Sequence, residues 1–236
     1  MGLVAVLIAG LSFLVGCIIA LFIKRKDNII SFSVSMSFAV LVILLIFEML
    51  PESLELLEGS PSIIIIIIGV IVGFSLLKLI DRFIPHHGEQ HGDHNLIHIG
   101  AVTAIALIIH GIIDGVFIYG YTMLDTRMGF IYAIAAALYH IPLGINLALL
   151  LKDNPKKMWI CILILTASPL LGGLLVYSFG RELNEVFLGI MLTIAMGMII
   201  YIMVAELWIK IKNNLGKYTL FGIITGSVLV ILGMVI

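Results

Sequence analysis

The sequence predicts an all-α, polytopic membrane protein, and three observations carry that prediction. Of 236 residues, 62% are hydrophobic and 11% charged, whereas soluble domains carry about a quarter charged residues. Eight apolar segments run along the chain, over 3–23, 31–49, 62–80, 98–122, 129–151, 157–178, 185–208 and 217–236. Each is long enough to cross a hydrocarbon core of about 30 Å as a helix. In lipid the backbone must satisfy its own hydrogen bonds, so helices are the expected form. Lastly, the basic residues alternate. Lys24, Arg25, Lys26, Lys78, Arg82, Lys152, Lys156, Lys157, Lys210, Lys212 and Lys217 belong to the connections after segments 1, 3, 5 and 7. Only Arg127 and Arg181 fall after segments 2, 4 and 6, a ratio of 11 to 2. The positive-inside rule then predicts both termini outside and the basic loops in the cytoplasm.

Each element has its own justification. The first segment lacks a basic stretch before it and has one after it, so it reads as a retained helix rather than a signal peptide. Pro51 and Pro61 bracket the acidic connection "PESLELLEGSPS" after segment 2. The run Ile63 to Ile68 in segment 3 reads as a lipid-facing or helix-packing surface. The longest polar stretch, within 81–97, is "DRFIPHHGEQHGDHN", with His86, His87, His91 and His94, and His98 just beyond. Metal capture by these imidazoles is favoured over a solvated loop. "KDNPKK" separates segments 5 and 6. Met191, Met196, Met198 and Met203 in segment 7 fit core packing better than a soft-metal ladder. Cys17 and Cys161 are too few for a disulfide framework or a cysteine-based zinc motif. The net charge of −1 gives no ground for a nucleic-acid partner. Residues 1–236 read as a single membrane domain.

The polar residues at depth are the signal for function. His110 lies near the middle of segment 4, and Asp114 follows on the same helical face. His140 lies mid-way along segment 5, followed by Pro142, which removes a donor and loosens the helix. Ser168 and Pro169 lie mid-way along segment 6. A charge at the bilayer centre costs about 2.5–3.5 kcal/mol on insertion scales, so it needs partners. One such residue could be a hydrogen-bonded helix tie. Three together, beside a helix-loosening proline, favour an ion pathway, since imidazole and carboxylate are divalent-metal ligands.

The order of these motifs resembles the ZIP (Zrt/Irt-like) metal transporters along essentially the whole chain. "IHIGAVTAIALIIHGIIDGVFIYG" looks like that family's fourth helix, with His110, Gly111, Asp114 and Gly115 in register. "ALYHIPLGINLAL" resembles the fifth, through Tyr139, His140, Ile141, Pro142, Leu143 and Gly144. "TASPLLGGLL", "FEMLPESLELL" and "AMGMIIYIMVAEL" are similar to the sixth, second and seventh helices, and the His-rich loop falls where the family has one. The resemblance implies a metal site on His110, Asp114 and His140, with Tyr139 and Ser168 as weaker ligands. Glu48 and Glu52 would serve where the ion enters, near the outer face, and Glu206 where it leaves. It also implies an elevator-like or rocking movement, with the outer helices as scaffold and homodimer surface. This chain departs from the pattern at Gly111, Tyr139, Leu143 and Ser168, where the family usually has ligating side chains. A single site of lower charge is therefore expected rather than a two-metal site.

The expected function is transport of a divalent cation into the cytoplasm across the cell membrane. Nitrogen-rich ligation points to zinc first, with iron, manganese, cobalt, nickel and cadmium as further candidates. No permanently bound cofactor is expected, and the partners are the ion, the lipid bilayer and a second copy of the chain. The alternative is a non-transporting homologue acting as a metal sensor or partner subunit, raised by the missing carboxylates. An enzyme is not expected: the chain has no H-E-x-x-H motif for an intramembrane metalloprotease. A haem held by His110 and His140 is the remaining, less favoured arrangement.

Overall fold

The computed structural model of the protein describes residues 1–24, 26–83, 93–180 and 184–235, with the side chains of 93–95 and 234–235 outside the description. His86, His87 and His91 lie outside the described residues, and His94 is described in its backbone alone. Among the described residues all regular structure is helical. Eight helices follow in order: α1 Gly2–Phe22, α2 Asp27–Leu56, α3 Ser62–Phe83, α4 Asp93–Leu124, α5 Thr126–Leu150, α6 Pro155–Phe179, α7 Glu185–Lys212 and α8 Lys217–Val235. The first seven are long and apolar enough to cross a membrane, and α8 is likewise apolar.

Local chemistry sets several helix starts. The Asp125 side chain accepts from the Arg127 N–H at 2.8 Å, Asn154 from Lys157 at 3.1 Å and Asn184 from Phe187 at 2.7 Å. Each satisfies a backbone donor that the first turn leaves without a partner. Three boundaries differ from the sequence expectation. The α2 helix runs through Pro51 to Leu56, so Glu52 is helical and the connection shrinks to a few residues. Pro51 is tolerated because a π-helical turn over Leu45–Met49 precedes it and rearranges the backbone bonds that the proline cannot make. Asp81 lies on α3, and α4 begins at Asp93, well before 98. Hydropathy marks only the part of a helix that meets hydrocarbon; the helix itself continues into polar turns. A second π-helical turn spans Ile202–Leu207 in α7.

The helices divide into two groups. In the first, α1 packs on α5 and α6, and α4 packs on α6 and α5. The α4–α6 contact is a close backbone approach: a Cβ at Gly115 would strike the Pro169 carbonyl, and one at Gly172 the Ile112 carbonyl. Small residues serve this role in membrane bundles, where packing replaces the hydrophobic drive. In the second group α2 pairs with α8, and α3 with α7. Ile63, Ile64, Ile67 and Ile68 on α3 are exposed, as a lipid-facing surface requires. Met196, Met198 and Met203 are buried in the core, and Met191 packs against it. A buried bond, Ser33 Oγ to Asn146 Oδ1 at 3.1 Å, joins α2 to α5 across the two groups.

The chain connections sort by end. Lys152, after α5, reaches the Ala20 and Ile23 carbonyls at the end of α1, at 3.1 and 2.6 Å. Gly100, early in α4, lies against Leu150 and Leu151, and Asn213 and Asn214 share a cavity with Asp81. The C-terminal ends of α1, α3, α5 and α7 therefore lie at one end, which is the basic one. At the other end Glu58, Leu124 and Glu185 line a common cavity.

Candidate metal centre

The deep polar residues converge where the two helix groups face each other. His110 and Asp114 project from one face of α4, and Tyr139 and His140 from adjacent faces of α5. All four are buried, with His140 at 0% exposure, His110 at 2%, Tyr139 at 4% and Asp114 at 8%. His140 Nε2 stands 2.8 Å from Asp114 Oδ2, and His110 Nε2 stands 3.5 Å from the same oxygen. Neither His110 nitrogen has a hydrogen-bond partner among the described residues. A buried imidazole without a partner forfeits hydration, so the arrangement fits a group awaiting a ligand.

His140 is oriented from behind. Its Nδ1 donates to the Ala9 carbonyl of α1 at 2.8 Å, and its ring stacks on Phe13 with centroids 3.8 Å apart. This aims Nε2 at Asp114. A carbonyl and a carboxylate both accept, so the His140–Asp114 contact needs a proton between the two groups. Such backing of one ring nitrogen is how proteins fix a metal-ligating imidazole. Nothing in the α1 sequence marked it as part of the site; the contact depends on how α1 leans on α5.

A cavity of about 20 Å³ lies beside these groups, lined by His110, Asp114, Tyr139, Tyr132, Glu48 and Glu52 among others. That is room for roughly one water-sized sphere. Glu48 sits on the π-helical turn of α2, and Glu52 on the turn after Pro51. Tyr139, Asp114 and Glu48 line this one cavity together. Two carboxylates from α2 thus stand beside the His110–Asp114 pair. Leu143 is buried in the core, and Gly111 is occupied on its open side by Ser168. Ser168 Oγ donates to the Leu165 carbonyl at 2.8 Å and does not line the cavity.

Glu52 also borders a second, larger cavity of about 630 Å³ at the acidic end, with Glu55, Glu58 and Glu185 in its lining. The Tyr121 hydroxyl donates to Glu52 at 2.9 Å, and Tyr121 stacks on Tyr132 with centroids 4.3 Å apart. Among the described residues, Glu52 is therefore the one glutamate common to the wide vestibule and the narrow inner cavity. Glu206 lies elsewhere, buried on α7 beside Asp81 and His98.

The chain is similar over its full length to the zinc transporter ZupT of Clostridium perfringens (strain 13 / Type A). Identity is 24% over a 284-residue alignment that covers 100% of this chain and 95% of that protein. No family model matches the chain.

Proposed function

We infer that this chain, a divergent member of the ZIP family of metal transporters and an integral membrane protein, carries a divalent cation, zinc first, through a site on α4 and α5 into the cytoplasm. The observation that carries the reading is the convergence of His110, Asp114 and His140 on one carboxylate oxygen inside an apolar bundle. Two ligands of a tetrahedral zinc ion with bonds near 2.0–2.2 Å lie roughly 3.4 Å apart. The His110–Asp114 separation of 3.5 Å already matches, while the 2.8 Å His140–Asp114 contact is a hydrogen bond that must open. An arriving cation takes the place of the bridging proton, so binding releases that proton.

The path runs from the acidic vestibule past Glu52 to Glu48 and then to the imidazoles. The α2 carboxylates supply the negative charge that Leu143 and Ser168 do not. A cavity with room for about one water-sized sphere supports a single ion at a time. The two helix groups that meet at the site are the natural bodies for a rocking or elevator movement, with α1, α4, α5 and α6 moving together. Placement in the cell membrane with the basic end in the cytoplasm and association as a homodimer through the outer helices belong to the same reading.

Uptake of radioactive zinc into proteoliposomes tests it. The wild-type protein accumulates zinc, and Asp114→Asn and His140→Gln reduce uptake to the protein-free background while far-UV circular dichroism stays unchanged. Wild-type protein that binds zinc yet moves none would leave the alternative, a sensor or partner subunit, in its place.

A further inference from the structure

The α1 helix meets the central site from behind, at backbone contact with α5. A Cβ at Gly16 would strike the Ile141 carbonyl, and one at Gly144 the Phe13 carbonyl. These close approaches flank the Phe13 and His140 rings, so the two backbones set the space the rings share. Phe13 is fully buried, and its ring lies 3.8 Å from the His140 ring with an interplanar angle of 21°. The Tyr139 ring meets the same imidazole edge-on, at 4.8 Å and 88°. The plane of the imidazole is thereby held by its neighbours. One acceptor lies behind it. The Ala9 carbonyl takes the His140 Nδ1–H at 2.8 Å and, within α1, the Ser12 hydroxyl as well. The helical N–H of Phe13, one turn on, is directed at that oxygen too. A carbonyl oxygen has two lone pairs, so the donors compete for it. Ala9 and Ser12 are both buried, which leaves the competition to these groups alone.

We propose that Phe13 and Ser12 are positioning residues of the metal site, acting through His140. The Phe13 ring holds the imidazole plane so that Nε2 faces the ion, and the Ser12 hydroxyl moderates the pull of the Ala9 carbonyl on the Nδ1–H. The inference rests on the reading of His140 as a zinc ligand. The two residues act with opposite sign. Without the Phe13 ring the imidazole can turn about its side-chain bonds, and each orientation that misses the ion lowers affinity. Without the Ser12 hydroxyl the carbonyl is left to His140. A stronger Nδ1–H bond puts more electron density on Nε2, and the bond to the cation tightens. All these contacts lie between α1 and α5, inside one helix group. They travel with the site, so His140 keeps its orientation when that group moves against the other. Glu48 and Glu52, on α2, belong to the other group and do not.

Zinc binding to the purified full-length protein tests this, by competition with a fluorescent chelator, on the equivalent of zinc that His140→Gln removes. Phe13→Leu should raise the Kd of that equivalent by about 10–100-fold, as loss of a ligand's supporting contact does. Phe13→Met stands in if Phe13→Leu does not fold. Ser12→Ala should lower the Kd by about two- to tenfold, the equivalent of one neutral hydrogen bond. A fold merely loosened by a substitution does not tighten binding, so the opposite sign separates positioning from damage. Solid-state NMR of zinc-loaded protein with isotope-labelled histidine gives a second readout. The His140 signal, identified by its loss in His140→Gln, should show a single ring protonated at Nδ1 in the wild type. It should broaden or divide in Phe13→Leu. A Kd unaltered by loss of the Phe13 ring, a Kd raised in Ser12→Ala, or a His140 signal that stays single and sharp in Phe13→Leu overturns the proposal. Zinc binding that His140→Gln leaves whole overturns it too, whatever the uptake. Wild-type protein that binds zinc through His140 but moves none would fail the transport reading and leave the positioning standing.

Discussion

His140 and Asp114, 26 residues apart in sequence and on neighbouring helices, share a proton across 2.8 Å. The opposite nitrogen of His140 is held by a carbonyl of a third helix. The two side chains thus form a proton-bridged pair, and under the proposed function an arriving metal must open it. Removal of either partner leaves the other buried without its counterpart, a cost of about 3–5 kcal/mol when the stranded group is charged. Asp114→Ala should therefore lower the thermal midpoint in detergent as well as abolish uptake. Asp114→Asn, which keeps a hydrogen-bonding group, should lose transport with a smaller shift of the midpoint. Equal midpoint losses for the two would show that the pair is not held by charge.

Glu48 and Glu52 should act on affinity. Both line the cavity beside His110 and Asp114. Charge removal by Glu48→Gln should raise the KM for zinc by about tenfold, equivalent to about 1.4 kcal/mol. Glu52→Gln should behave alike, with a stronger dependence on ionic strength because its other side meets the open vestibule. A KM unchanged in both variants would remove α2 from the ion path.

Tyr121 ties α4 to Glu52 on α2, and the bond is worth about 0.5–1.5 kcal/mol. Tyr121→Phe frees the carboxylate and should change KM by no more than about tenfold, with little loss of stability. Uptake kinetics and a thermal melt measure the two effects separately.

Ser168 and Gly111 test whether α6 contributes to the site. Ser168 Oγ is bonded within its own helix and faces Gly111 rather than the cavity. Ser168→Ala should leave KM unaltered and cost about 1 kcal/mol of stability at most. A large rise in KM would return Ser168 to the ligand set.

Gly115 and Gly172 hold α4 and α6 at backbone contact. Gly115→Val should destabilise by about 1–3 kcal/mol or more through overpacking. Gly120→Ala, where a Cβ meets nothing within 4 Å, should be neutral or slightly stabilising. Melting curves of the two variants compare them directly.

Much of this protein is legible in its sequence because lipid imposes a one-dimensional rule. A helix must be apolar for the width of the bilayer, so hydropathy alone marks each span. The cost of a buried charge singles out His110, Asp114 and His140 as residues that need partners. Hydropathy says nothing of where a helix ends once it leaves hydrocarbon, which is why the sequence pattern alone puts Glu52, Asp81 and His94 in loops. It also cannot say which side chains from distant segments meet. Glu48 and Glu52 reach the central cavity only because α2 winds through a π-helical turn before Pro51. Ala9 and Phe13 orient His140 only because α1 leans on α5. Asp81, His98 and Glu206 come together from three helices whose pairing no local pattern records. Span and charge are properties of single segments and are written in them; a coordination geometry belongs to several segments at once, and packing alone decides it.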